Sequence, residues 1–303
     1  MHEVLLAVAP VFFLILVGLL LHRMDFPSRD FWPASERLTY YVLFPAMLVS
    51  GLSGRQFGAE MLTLALSVGG ALIIVATLML ALRPRLSVTG PVFTSLFQGS
   101  IRPNTYVALS LAAALLGPDW MRLSAVALLV SIPLVNVLCV IVLARHGTNL
   151  ATGPLGIVRQ LVGNPLILAC VLGLTLNALN LTLPETVHSL LRITGSAALP
   201  MGLLAVGAGL RPSATVGHLR PALTSSAAHL ILLPLVALCI GFLLGGTELS
   251  LRAAVIFTAI PVSASSFILA RQMGGDHEAM AAVITVQTAL SAFTIPIILA
   301  AVG

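Results

Sequence analysis

The stretch SIRPNTYVAL, residues 100–109, sets Arg102, Pro103 and Asn104 side by side inside an otherwise apolar run. Proline has no backbone N–H, and its ring crowds the carbonyl four residues earlier, so a helix breaks or kinks there. A charge at the centre of a membrane helix costs at least about 2.5–3.5 kcal/mol. The surrounding chain otherwise avoids charge. Hydrophobic residues make up 58% of the 303 and charged residues 8%, and the mean hydropathy is +1.08. Soluble domains carry about 25% charged residues, so the composition specifies an all-α, polytopic membrane protein. Its solvent is the lipid bilayer.

Reading outward from the break, apolar runs long enough to cross a bilayer fall at about 4–21, 37–53, 61–81, 91–116, 123–144, 164–181, 194–210, 218–244, 250–271 and 278–301. The segment 182–193 is expected at the interface. The first run has no basic residue before it and no small-residue cleavage site after it, so it reads as a retained helix rather than a signal peptide. The net charge of +5 arises from 15 arginines and no lysine. It reports topology rather than a nucleic-acid partner. With the N terminus outside, Arg23, Arg29, Arg37, Arg83, Arg85, Arg145, Arg159, Arg211, Arg220 and Arg271 fall inside, against Arg55, Arg122, Arg192 and Arg252 outside. That bias places both termini on the outer (periplasmic) face of a plasma or inner membrane. Cys139, Cys170 and Cys239 are scattered in apolar runs, so neither a disulfide framework nor a metal site is expected, and no cofactor is implied.

The prolines repeat. Pro10, Pro45 and Pro103 have counterparts at Pro165, Pro200 and Pro261, offset by 155, 155 and 158 residues. Asp119, after the first break, answers to Asp276 at an offset of 157. Two five-helix halves, 1–156 and 157–303, must then lie in opposite orientations, because five is odd. The expected fold is ten transmembrane helices in two inverted repeats, with helices four and nine broken at Pro103 and Pro261. Backbone freed at membrane depth must line a cavity, and half-helix N-termini meeting there suit an anion. Interrupted segments at matching positions mark a transport site.

The candidate substrate-binding residues are Arg102, Pro103, Asn104, Thr105 and Tyr106 at one break and Pro261, Ser263 and Ser265 at the other. Asn136 and Gln287, in the runs that follow the breaks, either line the site or join helices. All ten acids, Glu3, Asp25, Asp30, Glu36, Glu60, Asp119, Glu185, Glu248, Asp276 and Glu278, fall in or at the edges of loops in this reading. Arg102 then has no fixed carboxylate, and its partner is an anionic substrate or backbone carbonyls. His229, alone in an apolar run, reads as a helix-packing hydrogen-bonder. The remaining prolines read as kinks. Carboxylate clusters, nucleophile-elbow, Walker and HExxH patterns are absent, so the chain is not expected to be an enzyme. No soluble output domain argues for a sensor, and saturable flux would separate a carrier from a channel.

RPNTY at 102–106, IPVSASSFILARQMGGD at 260–276 and TALSAFTIPIILA at 288–300 resemble the auxin efflux carrier family in its short bacterial form. The resemblance covers nearly the whole chain. Plant members carry Asn-Pro-Asn-Thr-Tyr where Arg102 replaces the first Asn, and their long cytoplasmic loop is reduced here to residues 145–160. The resemblance implies a scaffold (1–60 and 157–215) that forms a homodimer and a transport part (61–156 and 216–303) with crossed broken helices, working by elevator-like alternating access. It implies an organic-anion substrate, with Asn104 touching its carboxylate. Malonate or another mono- or dicarboxylate is the first expectation. Amino acids or auxin-like aromatic acids are the alternative.

Overall fold

The computed structural model describes residues 2–52, 60–148 and 162–302. Arg55, Arg159 and the expected repeat junction at 156–157 lie outside them. The described residues are almost entirely helical, and most of their long helices are apolar all round, as a lipid-facing bundle requires. α1 is His2–Arg23, α2 Phe31–Leu38, α3 Phe44–Leu52, α4 Glu60–Leu82, α5 Gly90–Ile101, α6 Thr105–Leu115, α7 Trp120–His146 and α8 Pro165–Ala178. α9 is Glu185–Ser196, α10 Ala198–Ala208, α11 Leu219–Ala227, α12 Leu233–Leu243, α13 Glu248–Thr258, α14 Ser265–Met273 and α15 His277–Val302.

Several of these join end to end. α2 and α3 are linked through a π-helical turn, Thr39–Leu43, and α11 and α12 through another, Ala228–Leu232. Each turn ends just before a proline, Pro45 or Pro234. Phe44 N–H reaches back five residues to Thr39 O, and Leu233 N–H to Ala228 O. These prolines therefore do more than kink. Each lacks an N–H, so the ladder shifts by one over the preceding turn. The segment 182–193, expected at the interface, is largely helical. Residues 185–196 form α9, which runs through Ala197 into α10.

Six helices, Val4–Arg23, Glu60–Arg85, Gly117–His146, Glu185–Ala208, Leu219–Leu243 and His277–Ala301, are long and apolar enough to cross a membrane among the described residues. The other candidate runs take shorter forms for visible reasons. Helix 2 starts at Phe31 and carries Ser35, Glu36 and Arg37 in its second turn. The runs at 91–116 and 250–271 are each split, as α5 with α6 and α13 with α14. Large apolar side chains face outward along the helices, among them Phe13, Leu16, Ile73, Leu172, Ile193, Phe242 and Phe293. On a soluble protein this patch would drive association; lipid covers it here. Inside, Phe44, Leu48, Phe93 and Phe97 are fully buried.

With lipid outside, helices associate through close packing and small residues rather than through the hydrophobic effect. α1 packs on α10 through Gly18 and Gly207: a Cβ on Gly18 would strike the Leu204 backbone, and one on Gly207 the Ile15 carbonyl. α3 packs on α8, where a Cβ on Gly173 would sit 2.9 Å from Leu52 Cβ. Gly207→Val should lower stability by about 1–3 kcal/mol or more through overpacking, read as a lower melting temperature in detergent. Gly209→Ala, whose nearest neighbours stand 3.5 Å off, should leave it almost unchanged.

Candidate functional site

The break after α5 determines the site. Pro103 frees the carbonyl four residues earlier, which is Gly99 O. Two side chains capture it: His229 Nδ1 at 2.7 Å and Gln287 Nε2 at 2.8 Å. His229 is placed to do so by the π-helical turn it stands in. Gly99 has no side chain because a Cβ would collide with the Ser225 hydroxyl and come within 2.5 Å of Val283 Cγ1. Gln287 also donates to Ser225 Oγ at 2.9 Å and accepts from Val262 N–H, the residue after Pro261, at 2.9 Å. One buried amide on α15 therefore serves the backbone of both breaks.

The breaks also bond to each other. Asn104 N–H donates to Pro261 O, and Ser263 N–H to Arg102 O, both at 2.9 Å. These bonds flank an antiparallel bridge between Pro103 and Val262. The two extended stretches thus satisfy each other where lipid could not. α6 restarts behind an asparagine cap, with Asn104 Oδ1 accepting from Tyr106 N–H at 3.1 Å and Val107 N–H at 3.4 Å. Helical serine and threonine hydroxyls nearby bond back to their own helices, as Ser100 does to Leu96 O and Thr258 to Ala254 O.

Beside this crossing lies a cavity of about 610 Å³. Arg102, Pro103, Asn104, Thr105, Tyr106, Asn136, Ser263 and Ser265 all line it, so eight of the ten expected residues share one site. Pro261 and Gln287 do not. Pro261 gives its carbonyl to Asn104, and Gln287, fully buried, spends its amide on the backbone. Of the two readings left open for Gln287, joining helices is the one its contacts support. Asn136 takes the other.

Arg102 is held by weak partners, the Cys139 thiol and a serine hydroxyl. Its Nη2 lies 3.5 Å from Ser265 Oγ, and Ser265 and Ser263 share a 2.9 Å hydroxyl contact. Its Nη1 is buried without a hydrogen-bond partner among the described residues. No carboxylate there lies within ion-pair distance of it. A buried donor left unmade costs about 1–3 kcal/mol, more when charged, and an anion entering the cavity would remove that cost.

The cavity has further lining residues away from the two breaks. Glu36, Arg37, Tyr40 and Tyr41 line it from α2 and the first π-helical turn, and Asn164 from the start of α8. Asn164 caps α8 as Asn104 caps α6, accepting from Leu166 and Ile167 N–H at 3.0 and 3.2 Å, and its side chain meets the Tyr40 hydroxyl. Tyr106 stacks on Phe44 with centroids 4.8 Å apart and planes 6° apart. The placement of every acid at a loop edge fails at Glu36, which stands inside a helix, one turn before Tyr40, on the cavity face.

A model of the membrane transport protein family matches residues 3–299. The chain belongs to that family. This is the auxin efflux carrier family, and the match extends the resemblance carried by RPNTY across the chain. No curated protein matches the sequence. As a family member with several bilayer-length apolar helices, the chain is a multi-pass membrane transporter.

For this transporter, the missed residues had partial signals. Glu36 and Tyr40 stand four apart, on one helical face, and Asn164-Pro165 has the form of a capped helix start. Nothing in the sequence brings Tyr40 and Tyr41 to Tyr106. Gln287→Leu should orphan Val262 N–H, leave Gly99 O to His229 alone and lower stability by about 1–3 kcal/mol, measured by thermal unfolding in detergent. Asn136→Ala should shift it by less than about 0.5 kcal/mol.

Proposed function

We propose that this transporter is a secondary carrier of a small organic anion, a mono- or dicarboxylate such as malonate. The observation that carries the reading is the under-bonded Arg102 guanidinium, lining a cavity at two joined helix breaks. Arg102 supplies positive potential. Asn104, Thr105, Tyr106, Asn136, Ser263 and Ser265 supply hydrogen bonds to a carboxylate.

In this reading the bilayer is crossed ten times, the two broken pairs and the two π-linked pairs each counting as one crossing. The halves form an inverted repeat. α1 on α10 and α3 on α8 are the contacts such a repeat would exchange, since helices 1 and 2 correspond to 6 and 7. Left-handed glycines, Gly117 and Gly274, also follow both second half-helices at the offset of the aspartates. The scaffold is 1–60 with 157–215, dimerising as in the family resemblance, and the transport part is 61–156 with 216–303. Movement of one against the other gives alternating access of the elevator type, with both termini periplasmic. A second reading, a carrier of auxin-like aromatic acids, draws support from Tyr40, Tyr41 and Tyr106, all three tyrosines of the chain, in the cavity wall.

The test is uptake of labelled malonate into liposomes holding the purified protein. Wild type should show saturable uptake and counterflow. Arg102→Ala should raise the half-saturation concentration by about tenfold or more, the loss of a charged hydrogen bond. Undiminished affinity in Arg102→Ala would remove Arg102 from the site. Failure of the reconstituted, folded protein to move any mono- or dicarboxylate would overturn the carrier reading.

A further inference from the structure

The charges of the cavity are not those of a simple anion site. Glu36 shares it with Arg37 and Arg102. None of the three is in an ion pair among the described residues. Three other arginines do meet a carboxylate: Arg122 is held by both Asp119, at 2.9 Å, and Glu60, at 3.3 Å. Arg29 pairs with Asp25 and Arg252 with Glu248. Opposite charges facing one cavity without meeting each other leave both to be met by a ligand.

The two charges have different neighbours, with Tyr40 close to both. At the crossing, Arg102 stands with the Ser263 and Ser265 hydroxyls and the Asn104 cap of α6, all groups suited to a carboxylate. Glu36 stands one helical turn from Tyr40 and is an electrostatic neighbour of Tyr106. Tyrosine rings and phenol oxygens favour a cation. An acid with no positive group would be attracted by Arg102 and repelled by Glu36. A ligand with a carboxylate at one end and an ammonium at the other would satisfy both charges.

Resting on the reading of this cavity as a carboxylate-transport site, we infer that its substrate is an amino-carboxylate zwitterion, whose ammonium group is selected by Glu36. Arg102 binds the carboxylate and Glu36 distinguishes amino acids from the matching acids that lack nitrogen. Glu36 is then a specificity-determining residue that the anion-carrier reading does not require.

The test is binding to the purified full-length protein, by thermal shift and competition, of four matched pairs. These are glutamate with glutarate, leucine with 4-methylpentanoate, phenylalanine with 3-phenylpropanoate, and 5-aminopentanoate with pentanoate. For the skeleton that fits, the amino member should bind about tenfold or more tightly, the discrimination of a site whose polar group is otherwise left unpaired. Glu36→Gln should weaken the amino member and leave its partner unchanged or tighter, bringing the two within about threefold. Arg102→Gln should weaken both. If Glu36→Gln does not fold, the wild-type ratio decides. Equal or tighter binding of the nitrogen-free members overturns the zwitterion inference and leaves the organic-anion reading standing. A preference that Glu36→Gln does not change overturns Glu36 as the group that selects the ammonium. Binding of no member of any pair, by protein shown to be folded and monodisperse, overturns both.

Discussion

Everything around the cavity follows from one carbonyl oxygen. Inside a bilayer a backbone group without a partner costs several kcal/mol, and Pro103 leaves Gly99 O without its helical donor. Two side chains from two other helices answer it. That demand explains why His229 stands in a π-helical turn, why position 99 has no side chain, and why a glutamine lies fully buried on α15. It also explains why the second break lies where it does. The extended residues around Pro261 are the strand-like partner that those around Pro103 need, and Gln287 ties the two together.

The same logic separates the arginines. Arg122 is boxed in by two carboxylates and is a structural fixture between α4 and α7. Arg102 has weak hydroxyl and thiol contacts and a bare nitrogen. A buried guanidinium short of partners is costly, and the proposed ligand would complete its shell.

The sequence read well where the physics is local. Pro103 breaks its helix whatever the rest of the chain does, and the repeat of prolines located the second break without any contact being known. Arg102 as an unpaired charge follows from the census of the acids, whereas the capping role of Asn104 emerges only from the structure. What escaped is set by three-dimensional packing. Glu36 was assigned to a loop because an apolar run begins after it, whereas the helix begins at Phe31. Gln287 and Asn136 are both polar residues in apolar runs, and only the distance to Gly99 O separates a backbone tie from a cavity wall. Pro45 and Pro234 read as kinks; that they re-aim Tyr40, Tyr41 and His229 depends on a ladder shift with no signature beyond the proline itself.

The stacked rings of Phe44 and Tyr106 have a mechanical meaning. On one wall Tyr40 bonds to Asn164; on the other Arg102 bonds to Ser265 and the two breaks bond to each other. Each wall therefore satisfies much of its polarity internally. Between them lie two near-parallel aromatic planes, a contact held by dispersion, whose energy changes steeply with separation and slowly with displacement along the plane. A seam of that kind resists being pulled apart and yields more readily to shear.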